Sequence, residues 1–258
     1  MIYAGIDAGS RAIKAVLFDA ACGQVLCSGL ADQGVEQERL ATELFERLVL
    51  GAGLKPAQVS AVIATGYGRN AIRFADTTVT EITCHARGVH QLAPDARTVI
   101  EIGGQDSKVI ALDEGGRVRD FAMNDRCAAG TGRFLEMVAA RLNMDWGKLS
   151  SLAQQSRQPA LISNVCAVFA ETEIIGLLAG GEPLPDVVAG VQNAIATRVG
   201  TLAGRVVSSP VYFTGGVALQ AGIARALETV LSLAVRVPPQ PQFTGALGAA
   251  ILAGERRR

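Results

Sequence analysis

Residues 6–19 read IDAGSRAIKAVLFD, and residues 100–113, 94 positions further along, read IEIGGQDSKVIALD. In both stretches an acidic residue, a glycine, a lysine and a closing aspartate occupy the same relative positions. A strand, a tight glycine turn and a second strand predict a β-hairpin in each copy. Glycines in such turns leave backbone N–H groups open to a phosphate. Two such hairpins face to face would hold a triphosphate between two similar α/β domains; the alternative is two ordinary hairpins in a repetitive protein.

The composition indicates a globular enzyme of the cytoplasm. The chain has 258 residues, 49% of them hydrophobic, which suffices for one large core or two linked ones. Lys plus Arg balance Asp plus Glu at 24 each, so no net field attracts nucleic acid or an anionic membrane. No apolar run is long enough to span a membrane, and we expect no signal peptide. The five cysteines lack the spacing of a disulfide framework, which favours reduced thiols.

Hydrophobic periodicity predicts strands and helices in alternation, hence an α/β class with a mixed sheet in each half. The predicted strands cover residues 2–7, 12–19, 23–29, 59–64, 97–102, 107–113, 117–122 and 210–214. The predicted helices cover about 37–50, 81–92, 131–142, 166–179, 186–206, 219–233 and 245–254.

Three glycine turns supply the candidate nucleotide ligands. Asp7 can hold a magnesium ion through water, Ser10 can donate to a phosphate, and Lys14 can neutralise charge that develops on it. Residues 103–106 (GGQD) form the matching second turn, and residues 214–217 (TGGV) carry a strand into a glycine pair, against which a flat nucleoside can lie. We therefore predict catalytic roles for Asp7, Lys14 and Asp106, and nucleotide binding by Gly9, Ser10, Gly103, Gly104, Gln105, Thr214, Gly215, Gly216 and Val217.

The three turns, in this order, resemble those of the actin, sugar-kinase and heat-shock-chaperone ATPases. In that superfamily the first two hairpins bind phosphate and the third turn binds adenosine. The resemblance covers nearly the whole chain and implies ATP binding in a cleft between two actin-like ATPase domains. We expect residues 1–95 to form the first domain, completed by a small-residue helix at about 243–258, and residues 96–242 to form the second. Glu101 stands where the superfamily often has aspartate, which weakens the case for a direct metal role there.

Two cysteines distinguish this chain from those ATPases. Cys127 lies in residues 124–132 (NDRCAAGTG) and Cys166 in residues 163–171 (SNVCAVFAE), each just before a predicted helix. Helix N-termini lower the pKa of a thiol and favour the thiolate, although a lone cysteine is often just a small buried hydrophobe. Two thiolates cannot complete a cubane iron–sulfur cluster, whereas two chains related by a two-fold axis supply four. The simplest solution is a homodimer that shares one such cluster.

Residues 102–108, 124–132, 163–171, 213–218 and 241–248 together are similar to segments of the 2-hydroxyacyl-CoA dehydratase activators, a family that includes the ATPase subunits of benzoyl-CoA reductase. Its members are ATP-driven, low-potential electron donors of anaerobic metabolism. The resemblance implies that Cys127 and Cys166 bind a 4Fe-4S cluster shared by a homodimer, and that ATP with Mg²⁺ binds at the three turns. It also implies a ferredoxin or flavodoxin as electron source and an acyl-CoA dehydratase or reductase component as acceptor.

Other classes remain open at this point. A small-molecule kinase of the same superfamily would place Asp7 or Asp106 near an acceptor hydroxyl and would not need the cysteines. A chaperone or filament protein would need a further domain or surface. An ATPase subunit within a benzoyl-CoA reductase shares every motif with an activator. Cys84-His85 is suggestive of a metal pair, but without a second pair in reach we expect a structural or hinge contact.

Overall fold

A computed structural model describes residues 1–125, 127–163, 166–204 and 206–256. Three residues of the cysteine motifs, Arg126, Asn164 and Val165, lie outside the described residues, as does the end of the predicted C-terminal helix at 257–258. None of the helices within the described ranges is long and apolar enough to cross a membrane.

The first sheet contains five strands in the order β3-β2-β1-β4-β5. Their bounds are Ile2–Ala8 (β1), Ala12–Asp19 (β2), Gln24–Asp32 (β3), Val59–Thr65 (β4) and Thr77–Thr78 (β5). The first three strands form an antiparallel meander, and β4 and β5 continue the sheet in parallel with β1.

The second sheet repeats this topology, with the order β10-β9-β6-β7-β8. Its strands are Thr98–Ile102 (β6), Ser107–Leu112 (β7), Val118–Asn124 (β8), Val211–Thr214 (β9) and Val235–Arg236 (β10). β6, β7 and β8 form the meander, and β9 and β10 join in parallel. The repeat seen in the sequence therefore extends to whole sheets, and the predicted α/β fold with two similar halves is confirmed.

Eight helices longer than one turn lie in the described residues. They are Gln37–Gly51 (α1), Glu81–Leu92 (α2), Gly132–Arg141 (α3), Trp146–Ala153 (α4), Ala167–Ala179 (α5), Leu184–Ala203 (α6), Ala221–Leu231 (α7) and Thr244–Glu255 (α8).

β1 is buried on both faces because a helix covers each one. Ala4 and Ile6 pack with Leu44 and Phe45 of α1 on one face. On the other face α8 comes into backbone contact: a Cβ on Gly5 would overlap the carbonyl oxygen of Ala246. The small residues of α8 make this approach possible.

The second sheet has a larger core on one side and α2 on the other. Phe134 of α3, Val191 of α6 and Phe213 of β9 belong to the large core, where each buried side chain of this size stabilises the fold by about 1.5–3 kcal/mol. On the opposite side Val89 of α2 packs with Val99. Because α2 also lies against α8, it occupies the space between the two sheets.

Three elements were not predicted, namely β5, β10 and α4. The two strands have two residues each, and their pairing depends on a parallel neighbour distant in sequence. α4 begins at a side-chain cap, in which Asp145 Oδ1 accepts a hydrogen bond of 2.7 Å from Lys148 N.

Candidate functional site

The two hairpin turns lie against each other at the mouth of a cleft with a volume of about 1040 Å³. A Cβ on Gly104 would stand 2.8 Å from Arg11 Cβ and 3.2 Å from Ser10 Oγ, so glycine is required for this approach. Gly103 and Gln105 of the second turn and Gly9 of the first turn also line the cleft. The hairpins therefore meet face to face, as the sequence repeat predicts.

An ion pair that is partly buried lies at the turn end of the first hairpin. Asp7 and Lys14 are opposite each other in the β1–β2 register, and Lys14 Nζ lies 3.2 Å from Asp7 Oδ2. A glycine lies against the Asp7 carboxylate: Gly66 has φ of +87°, and a Cβ there would lie 2.5 Å from Asp7 Oδ1, so a larger residue would clash with it. Both charged groups line the cleft, where Lys14 can contact an anion and Asp7 a hydrated cation.

The second hairpin places the equivalent pair, Glu101 and Lys108, in the same register, but its lysine is surrounded. Lys108 is 1% exposed, and its Nζ lies 2.8 Å from Asp106 Oδ2, 2.9 Å from Glu101 Oε2 and 3.5 Å from Glu81 Oε2. Asp106, a predicted catalytic residue, thus lines the cleft while paired to a buried cation.

This cluster shifts the pKa values of its members in different directions. Burial alone would lower the pKa of Lys108, but the charges of Glu101 and Asp106 outweigh it and raise that pKa. Burial would raise the pKa of Glu101, yet the charge of Lys108 lowers it. The pKa of Asp106 is raised by burial and by the charge of Glu101. Glu81 has its pKa raised to about 7, chiefly by burial.

The third turn packs on the second hairpin. Gly215 has φ of +91°, and a Cβ there would lie 2.7 Å from Glu101 Oε1, so only glycine fits. Gly215, Gly216 and Val217 line the cleft, whereas Thr214 is buried behind them and donates to the carbonyl oxygen of Pro241 at 2.5 Å. Beyond the glycine pair the cleft wall becomes apolar, with Leu219, Met144 and Trp146. A flat nucleoside can be held there.

Cys127 and Cys166 lie outside the cleft lining. The Asn124 side chain holds the backbone of Cys127 from both ends, accepting from Cys127 N at 3.1 Å and donating to Cys127 O at 2.9 Å. Arg198 Nη1 donates to the Cys127 sulfur at 3.5 Å. All five cysteines are in the described residues, and none of them forms a disulfide.

The loop that follows Cys127 is joined directly to the second glycine turn. A short 3₁₀ turn, Ala128–Gly130, leads into α3, whose first N–H groups have no side-chain cap. Instead, Gly132 N donates to Gly103 O at 2.9 Å, and Arg133 N donates to Gly104 O at 2.8 Å. These two hydrogen bonds join the second turn directly to the start of α3.

Cys166 immediately precedes α5, and exposed apolar residues lie on both sides of it in the sequence. Leu161 is 83% exposed, Val168 68% and Phe169 66%. Large apolar side chains that are exposed close together in the sequence indicate a candidate interaction surface. We call these three residues the apolar patch.

Three cleft residues were missed as site residues from the sequence: Lys108, Glu81 and His85. Lys108 occupies the position in the second copy of the repeat that Lys14 occupies in the first, so the repeat indicates it as a site residue. No local sequence pattern indicates Glu81 or His85. Glu81 and His85 are four residues apart on α2 and therefore share the face of the helix that lines the cleft. The helix begins at Thr80, whose hydroxyl oxygen accepts a hydrogen bond from Thr83 N. Cys84 points elsewhere, and burial raises its pKa to about 12. Among the described residues no group of three or more potential ligands could hold a metal ion.

Comparisons with known proteins agree with this geometry. The profile of the BadF/BadG/BcrA/BcrD ATPase family matches residues 4–253. The chain is 41% identical to the 2-hydroxyisocaproyl-CoA dehydratase activator of Clostridioides difficile, over 98% of this chain and 95% of the relative. It is 34% identical to a benzoyl-CoA reductase subunit of Thauera aromatica, over 97% of this chain and 92% of the relative. The solved structure of an activator of the 2-hydroxyisocaproyl-CoA dehydratase from Clostridium difficile with bound ADPNP superposes with a TM-score of 0.94 at 40% identity, covering 99% of this chain and 95% of that one.

Proposed function

The chain belongs to the BadF/BadG/BcrA/BcrD ATPase family, and on that premise we propose that it is an ATP-dependent one-electron donor that activates a 2-hydroxyacyl-CoA dehydratase. It works as a homodimer that carries one 4Fe-4S cluster and receives its electron from a ferredoxin or flavodoxin. The names of the activator relatives and the ADPNP-bound neighbour support the acceptor and the nucleotide.

The charges of the cleft support binding of ATP together with Mg²⁺. Carboxylates outnumber lysines and arginines in the lining, and a triphosphate adds further negative charge. A divalent cation is therefore needed for charge balance. Asp7 would hold it through water, since magnesium keeps much of its hydration shell. When bound, the ion neutralises phosphate charge, while Lys14 and the N–H groups of the two turns orient the phosphates.

The chemistry of the two cysteines fits half of a cubane cluster. Each cysteine is the N-cap residue of a helical turn that has no side-chain cap, and Arg198 Nη1 donates to the Cys127 sulfur. One chain supplies two thiolates, so Cys127 and Cys166 of a second copy complete the set. The apolar patch beside Cys166 fits burial against that copy. When bound, the cluster supplies a one-electron carrier.

The observation that carries the proposal is the contact between α3 and the second glycine turn. Gly103 and Gly104 line the cleft, and their carbonyl oxygens accept from the first amides of α3, whereas the Gly103 N–H closes the turn by donating to Asp106 O. Nucleotide-dependent movement of this turn would thus reach the Cys127 loop through two hydrogen bonds. Only a difference between the affinities of ATP and ADP for the two conformations can drive such a movement.

A second candidate function is an ATPase subunit of a benzoyl-CoA reductase-type complex. The relative from Thauera aromatica supports it. An activator should purify as a homodimer, whereas a reductase subunit should copurify with other subunits. A small-molecule kinase has less support, because it gives no role to Cys127 or Cys166.

Anoxic purification with iron content and oligomeric mass measured together tests the proposal. We expect about four iron atoms per dimer. Cys127→Ser and Cys166→Ser should each lose the iron. Cys22→Ser and Cys27→Ser, at the β2–β3 hairpin and away from the cleft, should keep it. About four iron atoms per monomer, or zinc in place of iron, would contradict the shared cluster.

Coupling is tested by iron chelation and by electron delivery. The reduced protein should release iron to a chelator at different rates with ATP and with ADP. Electron delivery to a dehydratase component should require ATP. Equal chelation rates together with rapid phosphorylation of a small acceptor would instead support a kinase.

A further inference from the structure

His85 is held at the cleft by a chain of hydroxyl groups. It is 4% exposed, and its Nδ1 lies 2.9 Å from Thr244 Oγ1 at the start of α8. Thr244 Oγ1 lies 2.5 Å from Thr214 Oγ1, which lies 2.5 Å from the carbonyl oxygen of Pro241. These contacts determine where the imidazole carries its proton.

Two oxygen atoms 2.5 Å apart require a hydrogen between them. Only Thr214 can supply it toward the Pro241 carbonyl, so its hydroxyl hydrogen is committed there. Thr244 must then direct its hydroxyl hydrogen to Thr214 Oγ1 at 2.5 Å rather than to the Pro241 carbonyl oxygen, which lies 3.2 Å away. Thr244 Oγ1 has no hydrogen left and can only accept from His85 Nδ1–H. In the neutral imidazole Nε2 is therefore the acceptor atom.

A glycine keeps open the space between the His85 ring and Asp7. A Cβ on Gly245 would lie 3.1 Å from His85 Nε2, 3.2 Å from His85 Cε1 and 3.2 Å from Asp7 Oδ2. No described residue donates a hydrogen bond to Nε2, and both His85 and Asp7 line the cleft. An imidazole acceptor and a carboxylate thus flank one small polar space beside the first hairpin.

We propose that His85 is the general base of ATP hydrolysis, with Nε2 accepting a hydrogen bond from the attacking water in the space beside Gly245. This inference rests on the proposed function. The water oxygen forms a bond to the γ-phosphorus, and the bond from that phosphorus to the β–γ bridging oxygen breaks. Its electron pair leaves with ADP, and Nε2 takes the proton that the water loses and later releases it to solvent. Burial lowers the pKa of His85, so the base form predominates at neutral pH.

Glu81 is the rival base in the same cleft. Its pKa of about 7 suits proton transfer, but its Oε2 is 3.5 Å from Lys108 Nζ, where it is held by a buried cation. His85 has an acceptor atom that no described residue engages. The geometry therefore favours His85.

The test uses the full-length protein purified without oxygen. His85→Gln should lower kcat for ATP hydrolysis by about 100-fold or more, while Kd for ADP stays within about three-fold. His90→Gln is the matched control, because His90 is on the same helix but packs against Gly116, away from the cleft, and should keep wild-type turnover. Thr244→Val should reduce kcat by removing the acceptor for Nδ1–H, and Thr244→Ser should restore it.

Gly245→Ala provides a second test should His85→Gln fail to fold. The added methyl group needs shifts of only a few tenths of an ångström, yet it occupies the space between Nε2 and Asp7. We expect a folded protein that binds ADP and hydrolyses ATP at least about ten-fold more slowly.

The outcomes separate this inference from the proposed function. If the wild-type protein hydrolyses ATP and both His85→Gln and Gly245→Ala keep a kcat near the wild-type value, the role of His85 is overturned and the proposed function stands. So would loss of turnover in Glu81→Gln alongside an active His85→Gln. A wild-type protein that binds ATP without hydrolysing it would overturn the proposed function and this inference together.

Discussion

Replacing Lys108 by methionine should reveal how much the stability of the fold depends on the cation that Glu81, Glu101 and Asp106 surround. The substitution keeps most of the side-chain volume but leaves Glu101, whose side chain is 6% exposed, without its partner at 2.9 Å. Leaving a buried charge uncompensated costs about 3–5 kcal/mol. The folded variant can remove this charge by protonating Glu101, and protonation of a carboxyl group of ordinary pKa costs about 4 kcal/mol at about pH 7.5. We therefore expect the free energy of unfolding to fall by about 3–4 kcal/mol.

Urea unfolding of Lys108→Met and wild type between about pH 5 and 7.5 measures this loss. Because the variant relieves its buried charge by protonation, the difference should shrink by up to about 1.4 kcal/mol per pH unit as the pH falls. Lys14→Met is the matched control at the equivalent position of the first hairpin. Lys14 has one ion pair among the described residues and is more exposed, so its loss should be near about 1 kcal/mol. A loss for Lys108→Met that is below about 1 kcal/mol or independent of pH would refute the reasoning.

Three further outcomes are expected. The pKa of Glu81 is raised from an ordinary 4.5 to about 7 in the folded protein, so wild type should lose stability as the pH rises through that interval; Glu81→Gln should lack this loss in a pH series of urea midpoints. Lys14→Ala should lower ATP hydrolysis by about 100-fold or more with iron content nearly intact, and normal turnover would make the first hairpin merely structural. Arg11 joins the first turn to Glu136 of α3 at 2.6 Å, but its side chain is 56% exposed; Arg11→Met should therefore change the free energy of unfolding by less than about 1 kcal/mol in urea titrations.

The sequence repeat predicted the hairpins and their opposition because the relevant information is local. Glycines at the turns and the charged pair seven residues apart are visible in the chain itself, and the register of a tight hairpin follows from the length of its turn. The small residues of α8 likewise indicated close packing. The structure shows backbone contact with Gly5, as that composition allows.

The role of α2 in the cleft could not be predicted in this way. Glu81 and His85 face the site only because α2 is packed between two sheets, an arrangement that no short pattern encodes. We expect a structural or hinge contact for the pair Cys84-His85, but neighbouring residues on a helix point in different directions, and only His85 lines the cleft. The burial of Lys108 by three carboxylates also depends on strands and helices brought together by the complete fold.

The position of α8 near the C-terminal end of the sequence determines which surface of the first sheet is exposed during synthesis. α8 covers β1 and lies in backbone contact with α2, although about 150 residues separate it from the end of α2. At a synthesis rate of about 5–20 residues per second, the ribosome needs roughly eight to thirty seconds to deliver α8 after α2 has emerged. During that interval one face of the first sheet is uncovered, while the strands and helices of the second sheet are being completed. A nascent chain therefore exposes the apolar surface around Tyr3 and Val16 until α8 arrives, which is the surface that a chaperone would have to protect.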